Sequence, residues 1–336
     1  MRSVVLEAPE SVRIVHTGEP APENGQALVR LRWGGICGSD LAAYRGTSPM
    51  VSYPRVLGHE LLVDVLQCPV RPELEGQRAV VEPLVPCGGC RACRLGRYNC
   101  CADLRVMGVH VDGGLRDLTA VDARRLFPVP PTLDDTLAVL AEPASIAYHA
   151  VERSEIRAGQ VAVVFGAGTI GLLIAQVLMR ARGCRVLVVD VDPWRLRVAQ
   201  ELGATPVEGS LEAQAAAVAG ATGGEMADVV FEATGNAACT RATTDLVAQA
   251  GRIVLVGWNK GPVEVDTVTL MRKEVDLLGS RNSAGAFPAV LRLLEDGVVE
   301  AGKMVTHRLA LDEARQALEL LGRSNERALK VLLGAG

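Results

Sequence analysis

The 336-residue sequence carries a formal charge of −4, is 49% hydrophobic but only 3% aromatic, and contains 35 glycines and nine cysteines. Its length accommodates two domains, its apolar and glycine content suits an α/β protein, and its mild acidity argues against nucleic-acid binding. No apolar run approaches the roughly eighteen residues that a membrane helix needs, and Met1-Arg2-Ser3-Val4-Val5-Leu6-Glu7 reads as a first strand rather than a signal peptide. A cytoplasmic protein without membrane or nucleic-acid partners is expected.

The first half is irregular and rich in Gly, Pro and Val. Ala27-Leu28-Val29-Arg30-Leu31-Arg32 alternates apolar and charged residues, the pattern of a half-buried strand. Pro128, Pro130 and Pro131 precede a predicted helical stretch from about Leu133 to Arg153. From Val161 strand and helix signals alternate. Val161–Phe165, Arg185–Asp190, Asp228–Glu232, Arg252–Val256 and Val275–Gly279 read as strands, with Ile170–Arg182 and Trp194–Leu202 as helices. This alternation predicts a doubly wound parallel sheet. Beyond Asn282, helices are predicted near Phe287–Glu295 and Leu311–Leu321, followed by an apolar run, Leu329–Leu333.

Gly166-Ala167-Gly168-Thr169-Ile170-Gly171 follows a predicted strand, opens a helix, and precedes Asp190 at the end of the next strand. Gly166 permits the tight turn, Gly168 lets a pyrophosphate approach, Gly171 lets the helix pack on the sheet, and the helix N-terminus faces the phosphates. Asp190 suits the adenosine ribose hydroxyls and disfavours a 2′-phosphate, so NAD is expected over NADP. Arg195 lies close enough in sequence to cover the adenine or meet a phosphate.

Five of the nine cysteines lie between positions 87 and 101. Disulfides are unexpected in a reducing compartment, and Cys87-Gly88-Gly89-Cys90-Arg91-Ala92-Cys93 can curl around one ion. A fourth thiolate would close a tetrahedral structural zinc site, and spacing leaves Cys100 and Cys101 equally open for that place.

Cys37-Gly38-Ser39-Asp40, Gly58-His59-Glu60, the cysteine loop, Glu142-Pro143, the Gly166–Gly171 turn and Asp190 occur in the order seen in the medium-chain, zinc-dependent alcohol and polyol dehydrogenases, which this chain resembles over nearly its whole length. The resemblance implies a Rossmann domain at about 147–281 inserted into a mostly β, GroES-like catalytic domain of 1–146 plus 282–336, with the active site in the cleft. It implies two zinc ions per chain, NAD, and a homodimer or homotetramer. Cys37, His59 and Glu142 match the catalytic zinc ligands, with Glu60 near or on the metal. Ser39 matches the hydroxyl that relays the substrate proton, and Asp40 the partner that orients His59. In the structural loop the family interval favours Cys101 beside Cys87, Cys90 and Cys93.

Tyr53–Glu60, Gly108–Gly114 and Gly279-Ser280-Arg281-Asn282 are most similar to the L-galactonate 5-dehydrogenase type, with sorbitol and threonine dehydrogenases less close. The expected reaction is oxidation of a secondary alcohol to a ketone on a sugar acid or polyol; L-threonine or a cyclitol or aminocyclitol intermediate is the alternative. Arg281 is a candidate contact for a substrate carboxylate. A zinc-free reductase is disfavoured by the Cys37, His59 and Glu142 set, and a dinucleotide- and zinc-binding sensor without turnover is the reading from another class. Two departures stand out. Ala42 replaces a relay histidine, and Val63 replaces a glycine, so packing behind the zinc site should differ.

Overall fold

A computed structural model describes residues 1–259, 261–323 and 326–335. Two units emerge: Met1–Glu142 with Phe287–Asp296 and Ala301–Gly336, and Pro143–Ala286 with Gly297–Glu300.

The first unit is built on a sheet whose central strand is Gln26–Ile36, flanked by Glu60–Gln67 and by the C-terminal strand Lys330–Gly334. A strand from the first forty residues and the last strand therefore share one sheet, with Val331 paired to Ile36 and Leu333 to Gly34. Alternation drives this arrangement: Val29 and Leu31 are buried whereas Arg30 is exposed, and Val63, Val65, Val331 and Leu333 join the same core. Val63 fills the position where relatives were expected to carry glycine, and it pairs across the ladder with Leu31 inside an unbroken strand. Gly35 has a different task. A Cβ built there would fall 2.0 Å from Glu60 Oε2, so only glycine lets the two strands close over that carboxylate.

The second unit holds a six-stranded, all-parallel sheet in the order Thr205–Val207, Arg185–Val189, Val161–Phe165, Ala227–Glu232, Val247–Leu255, Asp276–Gly279. Numbered along the chain this is 3-2-1-4-5-6, the doubly wound topology. Val161–Phe165 is buried throughout, as a strand covered on both faces must be.

Several boundaries differ from the sequence-based expectation. The stretch Leu133–Arg153 forms two helices, Asp135–Ala138 and Ala141–Ser154. Pro143 explains the restart, since a proline without an N–H is tolerated in a first turn but not mid-helix. The predicted helix Ile170–Arg182 is α-helical over Thr169–Gln176 and then widens into a π turn at Val177–Ala181. The segment Leu311–Leu321 begins as a 3₁₀ turn at Leu311–Glu313 before Ala314–Gly322 becomes helical. The helices Leu211–Thr222 and Ala237–Leu246 were not anticipated. The first is alanine-rich and buries only Val218, so its sequence shows no apolar stripe. No helix among the described residues is long and apolar enough to cross a membrane.

Candidate functional site

The central strand ends at Ile36, and Cys37 leaves it in an extended conformation to cap the short helix Gly38–Tyr44. Asp40 turns back over this start, and its Oδ2 accepts from the Cys37 N–H at 2.9 Å. Buried Asp40 also presents Oδ1 to His59 Nδ1 at 3.6 Å, which leaves His59 Nε2 facing the Ser39 hydroxyl at 3.4 Å. One acid thereby fixes both the thiol-bearing turn and the imidazole. The thiol of Cys37, a nitrogen of His59 and the carboxylate of Glu60 lie within 4.8 Å of one another.

A residue unforeseen in the sequence completes this cluster. Lys330 is 2% exposed, and its Nζ donates to both oxygens of Glu60 at 2.6 Å and to the Ile36 carbonyl at 3.2 Å. Its signal was present, because a lysine interrupts the apolar run Leu329–Leu333. A charge in a buried strand needs a partner.

Glu142 is buried and electrostatically linked to this set although it stands outside the 4.8 Å group. Burial, reinforced by the charges of Glu60 and Asp40, pushes its carboxyl up to about 7, against the pull of His59 and Lys330. Burial alone would lower the His59 pKa, yet Asp40, Cys37 and Glu142 hold it well above the usual imidazole value. The carboxylates of Asp40, Glu60 and Glu142, the His59 imidazole and the Cys37 thiol thus offer O, N and S donors beside Lys330. That donor set fits zinc. His59 Nδ1 and Asp40 Oδ1 have no hydrogen-bond partner among the described residues and face each other at 3.6 Å, an ion-pair rather than a hydrogen-bond distance. Ala42 offers no relay group; its carbonyl instead accepts from Thr47 and Ser48 and closes the helix.

Away from this cluster, the thiols of Cys87, Cys90, Cys93 and Cys101 also gather within 4.8 Å. The Cys90 and Cys93 sulfurs are 3.6 Å apart, near the ~3.8 Å edge of a tetrahedron built on ~2.3 Å zinc–sulfur bonds. The 3₁₀ turn Tyr98–Cys100 turns Cys100 out to solvent and Cys101 inward, 3% exposed, against Leu84 and Leu104, so Cys101 is the thiol that joins the other three. Backbone N–H groups of Ala102 and Cys93 draw the Cys90 thiol down to about 6, whereas burial and the neighbouring thiols push Cys93 up to about 12. The Tyr98 hydroxyl donates to buried Glu82 at 2.6 Å, and Glu82 in turn pairs with Arg125, which moors the loop to the sheet. All nine cysteines are free of disulfides.

In the second unit, Gly168 caps the helix Thr169–Gln176. A Cβ there would meet nothing closer than Arg195 Nη1 at 3.8 Å, whereas one on Gly171 would fall 1.8 Å from the Gly166 carbonyl oxygen. The turn is therefore open where a phosphate must approach and closed where helix must touch strand, as a dinucleotide requires. Gly168, Thr169 and Ile170 are half-buried beside it. Asp190 Oδ2 accepts from Ala167 N–H at 2.7 Å and Oδ1 from Asp192 N–H at 2.9 Å, so the acid is locked at the end of its strand. Arg195 leans toward Asp192 at 3.6 Å. Arg281 is exposed just past the edge strand Asp276–Gly279.

Comparison with known proteins agrees with this layout. The sequence model of the alcohol dehydrogenase GroES-like domain matches residues 23–131, and that of the zinc-binding dehydrogenases matches 169–296. The chain is 36% identical over 312 residues to L-galactonate-5-dehydrogenase of Escherichia coli K12, covering 92% of this chain and 91% of that protein. It superimposes on the crystal structure of the short chain alcohol dehydrogenase RspB of E. coli CFT073, complexed with NADH, with a TM-score of 0.93, 32% identity and 99% coverage of both chains. A dehydrogenase of Sinorhizobium meliloti 1021, assigned as zinc-binding and bound to NADP, gives a TM-score of 0.92 at 30% identity, over 99% of this chain and 98% of that one.

Proposed function

The chain belongs to the zinc-dependent alcohol dehydrogenase family, and on that footing we propose that it oxidises a secondary alcohol of a sugar acid or polyol to the ketone with NAD. The observation that carries this reading is the set of half-buried Cys37 with buried His59 and Glu60, the Ser39 hydroxyl standing 3.4 Å from His59 Nε2. Bound zinc supplies Lewis-acid chemistry to the alcohol, and the dinucleotide supplies the hydride acceptor.

The protein's own groups do the remaining work. Cys37, His59 and Glu142 hold the catalytic metal, and Lys330 keeps Glu60 beside it. Asp40 fixes the His59 ring, and Ser39 carries the alcohol proton away from the buried site. With Ala42 in place of a relay histidine, the proton leaves Ser39 by way of water or a cofactor hydroxyl. Cys87, Cys90, Cys93 and Cys101 hold a second, structural zinc.

The 36% identity to an L-galactonate dehydrogenase supports a sugar acid, and Arg281 is the cation assigned to its carboxylate. The test is NADH formation over a panel of sugar acids, polyols, cyclitols and L-threonine, with and without a zinc chelator. Chelator-sensitive turnover favouring the acids is expected, with Arg281→Ala raising KM for acids alone. A preference for uncharged polyols would overturn the acid assignment, and chelator-resistant turnover the zinc chemistry.

Asp190 supports NAD, because its fixed carboxylate meets ribose hydroxyls and repels an added phosphate. Asp190→Ala is expected to lower kcat/KM for NAD by about 10- to 100-fold, the worth of hydrogen bonds to a charged acceptor, and to narrow the gap to NADP. Equal wild-type rates with both cofactors would refute the assignment.

A further inference from the structure

Glu232 is a buried acid that the zinc site does not use. It ends the strand Ala227–Glu232, is 0% exposed, and no ion pair reaches it among the described residues. Its carboxylate accepts from the Thr234 N–H at 2.7 Å, from the Thr234 hydroxyl, and from the Gly235 N–H at 3.1 and 3.2 Å. Its carbonyl accepts from Val256 and Gly257, each at 2.8 Å. A Cβ on Gly257 would lie 2.8 Å from Glu232 Oε2, and one on Gly166 3.0 Å from Thr234 Cγ2. The loop after this strand thus grips the carboxylate, and the loops after the two neighbouring strands pack against it.

Its place in the sheet gives that anion a role. Val161–Phe165 and Ala227–Glu232 are neighbours at the point where the strand order reverses, and dinucleotides bind in the crevice above such a point. Asp190, one strand to one side, marks the adenosine half, and the Gly166–Thr169 turn marks the pyrophosphate. The nicotinamide half then lies on the other side, over the strands that begin with Ala227–Glu232. This step rests on the dinucleotide assignment made above.

We propose that Glu232 is a positioning residue for the nicotinamide half whose fixed negative charge shifts binding toward the oxidised cofactor. The oxidised ring carries a positive charge, and uptake of a hydride, two electrons with one proton, makes it neutral. A carboxylate held by N–H and O–H donors, without a compensating cation among the described residues, acts on that charge through a medium of low polarisability. A purely structural anchor for the loops would influence both redox forms alike.

The test is calorimetric titration of the whole protein with NAD⁺ and with NADH. Glu232→Gln is expected to raise the ratio of the NAD⁺ to the NADH dissociation constant by about tenfold, chiefly through weaker NAD⁺ binding. Glu232→Asp retains the charge and should restore most of the ratio. Equal weakening of both forms, or an unchanged ratio, would overturn the proposal. If Glu232→Gln does not fold, Glu232→Asp and Thr234→Val disturb the loop with the charge retained. The ratio must then stay within about twofold of wild type while absolute affinities fall, and a larger change overturns the proposal. Failure of the wild-type protein to bind either form would refute the dinucleotide assignment, and this inference with it.

Discussion

Cys37→Ala and His59→Ala should each cut turnover by about a thousandfold or more while leaving NADH affinity nearly unchanged. The separation follows from geography: Cys37 and His59 lie in the first unit, and the glycine turn with Asp190 in the second. On the proposed ligand assignment, each substitution removes one donor from a metal whose Lewis acidity is worth several kcal/mol at the transition state. Steady-state kinetics, zinc content and NADH fluorescence titration on the same preparations check this. Wild-type turnover in either variant would refute the ligand assignment. A pH dependence accompanies it. In the metal-free protein the buried Glu142 carboxyl is pushed up to about 7, so below that pH zinc must displace a proton to use it. Zinc affinity is therefore expected to rise with pH, Glu142 adding about tenfold per unit below about 7 and the His59 proton, held above its usual value, carrying the rise beyond it, and competition with a chromophoric chelator measures it. Glu142→Gln should remove this proton's share of the slope, because the amide has nothing to release.

Much of the site was legible before the structure because its chemistry is local in sequence. Gly166–Gly171 combines turn, phosphate approach and helix packing in six residues, and the thiols of the cysteine loop follow one another at short intervals. Where geometry depends on tertiary context, sequence was silent or open. Nothing in the spacing distinguishes Cys100 from Cys101; a single 3₁₀ turn does. Nothing marks Glu232 as special among the acids, since its importance comes from loops that converge from distant positions. The helices Leu211–Thr222 and Ala237–Leu246 escaped notice for a related reason, as one carries no apolar stripe and the other is threonine-rich, held by its Asn236 cap rather than by an evident pattern.

Lys330→Met is expected to destabilise the first unit by about 3–5 kcal/mol, the cost of leaving a buried carboxylate without its partner. Two features place the effect at this end of the scale. Lysine and glutamate are 2% and 1% exposed, so water cannot replace the lost cation, and both carboxylate oxygens bond to the one ammonium at 2.6 Å. The pair also has little room to relax, because Gly35 packs against the Glu60 carboxylate from the facing strand. For a unit of this size such a loss corresponds to a drop of roughly 10 °C in midpoint, readable by calorimetry. Glu60→Gln combined with Lys330→Met should be markedly less damaging than Lys330→Met alone, since the orphaned charge is then absent. Additive losses in the double variant would show that the two groups do not act as a pair. The metal content of Lys330→Met decides what the lysine does for chemistry. Asp40 is engaged by the Cys37 N–H and His59, and Lys330 engages Glu60. Without it Glu60 is free to compete with Cys37, His59 and Glu142 for the ion, so the variant should retain zinc and lose turnover. A thermally weakened protein with wild-type turnover at low temperature would mean instead that Lys330 serves the fold alone.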